Sequence, residues 1–518
     1  MPQIAEPRWL RILLSSVALL AVPPELGQIA GAQPMSAALA QTAERDRQSM
    51  LDRLGIRTLR PGPSGDEHAA NHANYDEAKA NPFPNWPDPL VMNDGRAVAT
   101  QAMWRRRRPE ILEAFEREVY GRVPARVPEI TWTVTASEPE RVGPVAVAAS
   151  QVIGHLDNSA APAISVDIPM ILVKPSRHAG PMPVLIMFTF GPPSFPAPVP
   201  PAPADIARMN AAMKEGLAKQ DPTLGEVFRQ HPAWQPIAAP PFFPPPRPPG
   251  DPVQQLLADG WAVALLDPTS IQPDNGAGLT RGVIGLVNQG ARRSPEDWGA
   301  LRAWAWGASR AFDYLARDSD LDSRHIGIEG VSRYGKAALV AMAFDERFFA
   351  VLVGSSGEGG AKPHRRNFGE AVENLTSLEE YHWMAGNFLK YAASEARGGA
   401  RTPGDLPIES SELIALCAPR PTFISYGSPE AGDSQWLDQQ GSYMAAVAAG
   451  RVFRLLGAVD LGVGDDFRAA RKPAVGVGLL DGQLAWRQHE GGHTDVPNVS
   501  YFIGWVDRWM GRSHADGS

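Results

Sequence analysis

The run Ile326-Gly327-Ile328-Glu329-Gly330-Val331-Ser332-Arg333-Tyr334-Gly335-Lys336-Ala337-Ala338-Leu339 decides the fold. A short β-branched stretch passes through a tight turn into a helix-forming run, which places Ser332 at the bend between a strand and a helix. Small residues are needed around such a bend because the two backbones approach closely, and Gly330 and Gly335 give that clearance. The bend lifts the Ser332 hydroxyl off the carboxyl end of a sheet and aims the first N–H groups of the helix at the place a tetrahedral oxyanion would occupy. Tyr334 stands where the commoner Gly-x-Ser-x-Gly pattern has its second glycine. A serine in an ordinary strand-to-helix turn shares this much, so the reading depends on the partners that a nucleophilic serine needs.

Working outward, Val184–Phe190, Trp261–Leu266, Ile326–Glu329, Ala350–Gly354 and Thr422–Tyr426 are short apolar runs, and helical patterns separate most of them. That alternation predicts an α/β fold with a doubly wound, mostly parallel sheet. Before it, Ile130–Val134, Val145–Ile153 and Ala163–Val173 follow one another without helices, which predicts an antiparallel N-terminal edge. The spacing of Trp104, Ile111, Leu112, Phe115 and Val119 predicts a helix over Met103–Val119 with its Arg and Glu residues outward. A second helix is expected over Asp297–Arg317, with Asp297 as its cap.

A serine hydroxyl needs an imidazole to take its proton and a carboxylate to orient that imidazole. Leu484–Gln488 reads as a last strand and Tyr501–Met510 as a last helix, so His493 lies on the loop between them, where an α/β-hydrolase carries its base. The usual acid of that fold follows the penultimate strand, and the loop after Thr422–Tyr426 offers Asp433 first and Asp438 in reserve. His489-Glu490-Gly491-Gly492-His493 also matches the zinc-protease pattern His-Glu-x-x-His. That chemistry requires both histidines on one helical face, whereas two interior glycines cost such a helix about 1 kcal/mol each, and Val499 stands where the extended motif has a third histidine. The triad chemistry requires no metal or organic cofactor.

The chain has 518 residues, a net charge of −8 and one block of basic residues, Arg105–Arg108, inside an amphipathic pattern, which leaves no electrostatic footprint for nucleic acid. A single cysteine, Cys417, excludes an intrachain disulfide and a thiolate metal cluster. Arg8 and Arg11 precede the apolar run Ile12–Val22, with Ala30-Gly31-Ala32 at cleavage spacing, so residues 1–32 read as a secretory signal peptide. The mature chain is then secreted or periplasmic and not membrane-bound. Residues 33–68 are polar and without strong periodicity and read as a flexible tether; 69–512 form the catalytic domain and 513–518 a tail. Pro192-Pro193, Pro200-Pro201 and Pro244-Pro245-Pro246 mark a Pro-rich insertion over 192–252, read as a loop or a lid.

Taken together these stretches resemble the bacterial branch of the glucuronoyl esterases. The resemblance rests on Ser332-Arg333-Tyr334-Gly335-Lys336, Asp297-Trp298-Gly299, Arg365-Arg366-Asn367-Phe368-Gly369-Glu370, His382-Trp383, Asn387-Phe388 and Gly491-Gly492-His493, starting from Asn74-Tyr75-Asp76-Glu77. It implies an α/β-hydrolase, acting as a monomer on esters of (4-O-methyl-)glucuronic acid in glucuronoxylan, with a lignin alcohol as leaving group. Arg333 would add a charged donor to the oxyanion hole, Lys336 and Glu370 would bind sugar hydroxyls, and Trp436 would wall the ring. Structural pairing with nearby carboxylates is the competing role for Arg333 and Lys336. Many relatives carry the catalytic Glu at the position held here by Ser355; some bacterial ones use the later loop, which favours Asp433, while Glu358 remains a nearby substitute. The same resemblance leaves two other readings open, a hydrolase of acetyl or other carbohydrate esters and a non-catalytic carbohydrate-binding relative.

Overall fold

The computed structural model describes residues 37–66, 68–191 and 250–512 and, between 192 and 249, the helix Pro222–Gln230 with a few helical residues ahead of it. The expected signal peptide, most of the Pro-rich insertion and the tail lie outside the described residues.

The strands in chain order are β1 Ile56–Leu59, β2 Ile130–Val142, β3 Val145–Leu156, β4 Asp167–Pro175, β5 Met182–Phe188, β6 Ala262–Leu266, β7 Leu321–Val331, β8 Val351–Gly354, β9 Ala393–Ala396, β10 Thr422–Tyr426, β11 Gly478–Leu479 and β12 Leu484–Gln488. Ten of them form one sheet in the order β11-β12-β10-β8-β7-β5-β6-β4-β3-β2. The block from β6 to β12 through β5, β7, β8 and β10 is parallel, and β2, β3 and β4 are antiparallel, as the alternation and the helix-free start of the sequence predict. Successive residues of the central strands point to opposite faces. Val184 and Ile186 of β5, with Val351 and Val353 of β8, pack into one core, while Leu185, Met187 and Leu352 pack into a second with Phe502 and Trp505. Burial on both faces is why these strands read as continuous apolar runs. Because β7, β8, β10 and β12 run parallel, the residues that follow them all emerge at one sheet edge.

The principal helices are α1 Ala37–Leu54, α2 Gln101–Glu118, α3 Ala300–Leu315, α4 Arg333–Phe344, α5 Gln439–Leu455 and α6 Val496–Met510. Three expectations need correction. Residues 33–68 are not a tether through their described part: α1 buries Ala43, Met50 and Leu51, β1 pairs with β9, and Met35–Ser518 gathers into one compact unit. The buried face carries Asp46 between Ala43 and Met50, with Tyr381 Oη 2.9 Å from the Ala43 carbonyl and 3.1 Å from Asp46 Oδ2, and this polar residue interrupts the apolar stripe in the sequence. In α2, capped by Thr100, Arg107 is buried and pairs with buried Glu412 at 2.8 Å. Asp297 does not cap α3; Gly299 precedes it, and Asp297 Oδ2 accepts from the Ser294 N–H at 2.6 Å instead.

Candidate active site

Ser332 joins β7 to α4 with φ 62° and ψ −131°, in the left-handed half of conformational space where a residue with a Cβ is strained. Its surroundings hold it there. The Ser332 N–H donates to the Gly354 carbonyl at 2.8 Å and its carbonyl accepts from Lys336 N–H at 3.0 Å. A Cβ on Gly330 would lie 2.3 Å from the Tyr334 carbonyl oxygen, and one on Gly335 would lie 2.4 Å from that of Gly354. Both glycines of the motif are thus demanded by backbone meeting backbone.

Two strands away, β10 ends at Tyr426 and its loop carries Asp433; beyond it β12 ends at Gln488 and its loop carries His493. The two loops are in backbone contact: the Ser428 N–H donates to the Gly491 carbonyl at 2.8 Å, and a Cβ on Gly427 would lie 2.1 Å from the Gly492 oxygen. His493 Nδ1 lies 2.7 Å from Oδ1 of fully buried Asp433. Since the carboxylate only accepts, Nδ1 carries the proton and Nε2 is the basic nitrogen. Nε2 is buried and has no hydrogen-bond partner among the described residues. The second oxygen of Asp433 accepts from Ser355 Oγ at 2.9 Å and from Gly427 N–H at 2.7 Å. Ser355, itself at φ 42°, therefore supports the carboxylate from the end of β8.

The reserve acids are not brought to His493. Glu358 is fully buried between Lys362 Nζ, at 2.8 Å, and His364 Nδ1; burial pushes its carboxyl up, but the charges of Lys362 and His364 outweigh this and bring it down to about 2. Asp438 forms a fork with Arg366, at 2.7 and 3.1 Å, and accepts from the Gly441 N–H at the start of α5. Both carboxylates are committed to buried ion pairs.

The other expected residues gather beside α4. Lys336 Nζ donates to the Glu358 carbonyl at 2.6 Å and to Glu370 Oε2 at 3.2 Å, and Glu370 Oε2 also accepts from the Glu358 N–H at 2.9 Å. The Glu370 N–H donates to the Trp436 carbonyl at 2.8 Å, which ties the Trp436 turn to this cluster. Arg333 Nη1 donates to Asp274 Oδ2 at 2.6 Å. Glu380 faces the same charges. Burial, and after it the Glu370 charge, push its carboxyl up to about 8, and its Oε2 is buried without a hydrogen-bond partner among the described residues. Sequence reasoning missed Asp274, Glu380 and the role of Ser355. Asp274 could have been found as a carboxylate on the loop leaving β6 at the carboxyl edge; Glu380 gives no such signal, because the segment carrying it has no strand to locate it.

The stretch 489–493 is loop, not helix. His489 is committed elsewhere: Nε2 donates to the Thr494 carbonyl at 2.6 Å and Nδ1 accepts from the Gly491 N–H at 3.0 Å. The two histidines are not arranged for the zinc-protease pattern, and the chemistry this arrangement supports is proton transfer at His493.

Comparison with known proteins gives a consistent answer. Residues 292–457 match the family model described as glucuronyl esterase, fungi. A carbohydrate esterase of an unknown prokaryotic organism is 31% identical over 389 residues, covering 74% of this chain and 81% of that protein. The 4-O-methyl-glucuronoyl methylesterase of Podospora anserina is 33% identical over 171 residues, 31% of this chain and 33% of its own length. Among solved structures, a glucuronoyl esterase of carbohydrate esterase family 15 from Teredinibacter turnerae superposes with a TM-score of 0.74 at 38% identity, covering 90% of this chain and all of that one. With the α/β-hydrolase sheet and the bend at Ser332 already described, the chain belongs to the glucuronoyl esterases of carbohydrate esterase family 15.

Proposed function

We propose that this carboxylic ester hydrolase cleaves esters of (4-O-methyl-)glucuronic acid on glucuronoxylan, such as lignin–carbohydrate links, through Ser332, His493 and Asp433. The observation that carries the assignment is the 2.7 Å bond between His493 Nδ1 and a buried Asp433 whose other oxygen is already satisfied. His493 Nε2 accepts the Ser332 proton as Oγ forms a bond to the uronoyl carbonyl carbon. Asp433 holds the imidazole in the productive tautomer and stabilises the imidazolium. Negative charge collects on the carbonyl oxygen, facing the N–H groups at the start of α4 and the Arg333 guanidinium. When the tetrahedral intermediate collapses, the ester C–O bond breaks and the imidazolium proton leaves with the alcohol. Water, deprotonated at Nε2, then attacks the acyl-enzyme carbonyl, the Ser332 Oγ–carbonyl bond breaks, and the glucuronate is released with Ser332 regenerated.

Lys336, Glu370 and Glu380 supply donors and acceptors for the sugar hydroxyls, and Trp436 flanks the ring. All of these groups come from one chain, so a monomer carries a complete site. Xylan of this kind is met outside the inner membrane, which agrees with export through residues 1–32; among the described residues no helix is long and apolar enough to cross a membrane.

The test is turnover of benzyl glucuronate against an acetylated sugar, by wild type and by Ser332→Ala. Wild type should prefer the glucuronate, and the variant should lose about 10⁴-fold or more in kcat. A preference for the acetyl ester would transfer the assignment to another carbohydrate ester, and activity surviving in Ser332→Ala would remove the nucleophile.

A further inference from the structure

Asp274 lies on the loop that leaves β6 and is engaged by three donors from two other parts of the chain. Its Oδ2 accepts from Arg333 Nη1 at 2.6 Å, and its Oδ1 accepts from His382 Nε2 at 2.9 Å and from Trp383 Nε1 at 2.6 Å. The loop itself is fixed: buried Gln272 bonds across it to the Gly278 carbonyl at 2.8 Å and takes the Ile284 N–H, while its own carbonyl accepts from Trp304 Nε1. Gly276 sits so close to Tyr381 that a Cβ there would lie 2.4 Å from the phenol oxygen. The indole held by Asp274 also underlies both site cations, with Arg333 Cζ 5.3 Å and Lys336 Nζ 5.6 Å from the Trp383 ring centroid.

We propose that Asp274 is a positioning residue for ester cleavage, fixing the Arg333 guanidinium for the oxyanion and, through Trp383, the surface on which Lys336 rests. The proposal rests on the reading of Arg333 as an oxyanion donor. A guanidinium is useful to a developing charge only if its plane is set before the reaction, because reorienting it in the transition state would consume the stabilisation it gives. A carboxylate suits all three donors because it has acceptor sites for each and no hydrogen of its own. Burial pushes Asp274 up, yet the His382 hydrogen bond and the neighbouring positive charges outweigh this, so it stays ionised well below the usual carboxylate range. An amide at this position would turn an NH2 toward one of the donors.

The experiment is a double-mutant cycle on benzyl glucuronate with Asp274→Asn, Arg333→Ala and both together, each checked for an intact thermal transition. Arg333→Ala and Asp274→Asn should each lower kcat by about 10²-fold with KM within about threefold, as loss of one oxyanion donor does. The double variant should be no slower than Arg333→Ala. Added guanidine should restore part of the Arg333→Ala activity and none in the double variant, a readout that a merely structural carboxylate would not control. Trp383→Phe, which keeps Asp274 and removes one donor, should show a smaller loss in the same parameter. If Arg333→Ala costs its hundredfold while Asp274→Asn leaves kcat within about threefold, or if the two losses multiply, the positioning role is overturned and the oxyanion donor stands. If Arg333→Ala leaves kcat unchanged, the oxyanion reading falls and the proposal falls with it.

Discussion

Asp433 is gripped from the ends of two strands, by Ser355 after β8 and by Gly427 after β10. The Asp433 carboxylate is shared between His493 on one oxygen and the Ser355 hydroxyl and Gly427 N–H on the other. Asp433→Asn should therefore cost between about 10² and 10⁴ in kcat, because the amide either loses the Nδ1 acceptor or favours the wrong tautomer. Ser355→Ala removes one of two donors and should cost about tenfold or less, its loss lying in kcat and not in KM. Glu358→Ala should behave differently, since it leaves Lys362 and His364 buried without their counter-charge: stability falls by about 3–5 kcal/mol in urea unfolding. Equal kcat losses in Asp433→Asn and in a folded Glu358→Ala would undo the assignment of the acid. The His493–Asp433 pair was legible in the sequence because each residue sits on a loop that follows a strand of the parallel block. Nothing in the sequence separated Asp433 from Asp438, five residues further, which the fold turns to Arg366 and the Gly441 N–H instead of His493.

At the scale of elements, the β7–α4 bend is the least forgiving part of the molecule. Ala at Gly330 or Gly335 drives a methyl into a carbonyl oxygen of the backbone, which cannot turn aside as a side chain could. Each substitution should cost at least about 3 kcal/mol, the upper end for overpacking, and a variant within about 1 kcal/mol of wild type in urea would show that the bend can open. The sequence named this element correctly because the constraint is local and only glycine meets it. It read α1 as a tether because Asp46 and Arg47 stand among the apolar residues of its packed face, held by groups hundreds of residues away, Tyr381 and Thr376, whose carbonyl accepts from Arg47 Nε at 3.0 Å. Long-range polar contacts on a packed face blur the period that apolar residues alone would give.

The whole molecule hides an acidic pair whose effect is on pH dependence. Glu329 of β7 and Asp495, at the start of α6, are both buried and hydrogen-bonded to each other, and the His489 imidazole lies on the Asp495 side. Burial, and after it Asp495, raise the Glu329 carboxyl well above its ordinary value of 4.5; burial raises Asp495 as well. The folded state thus keeps a proton that the unfolded chain releases above 4.5, so stability from this group is complete below that pH and is lost as pH rises toward the folded value. Glu329→Gln retains a donor and has no proton to release. Its Tm relative to wild type should be unchanged or lower near pH 4.5 and should improve steadily as pH rises through neutrality. An offset that stays constant across that range would exclude the shared proton.

The contact between Gly427 and Gly492 has a mechanical consequence. With the Ser428 N–H bonded to the Gly491 carbonyl and no room for a side chain at Gly427, neither loop has space to shift against the other. The 2.7 Å bond between Asp433 and His493 is thus backed by main-chain contact between the loops that carry them, and not by the two side chains alone.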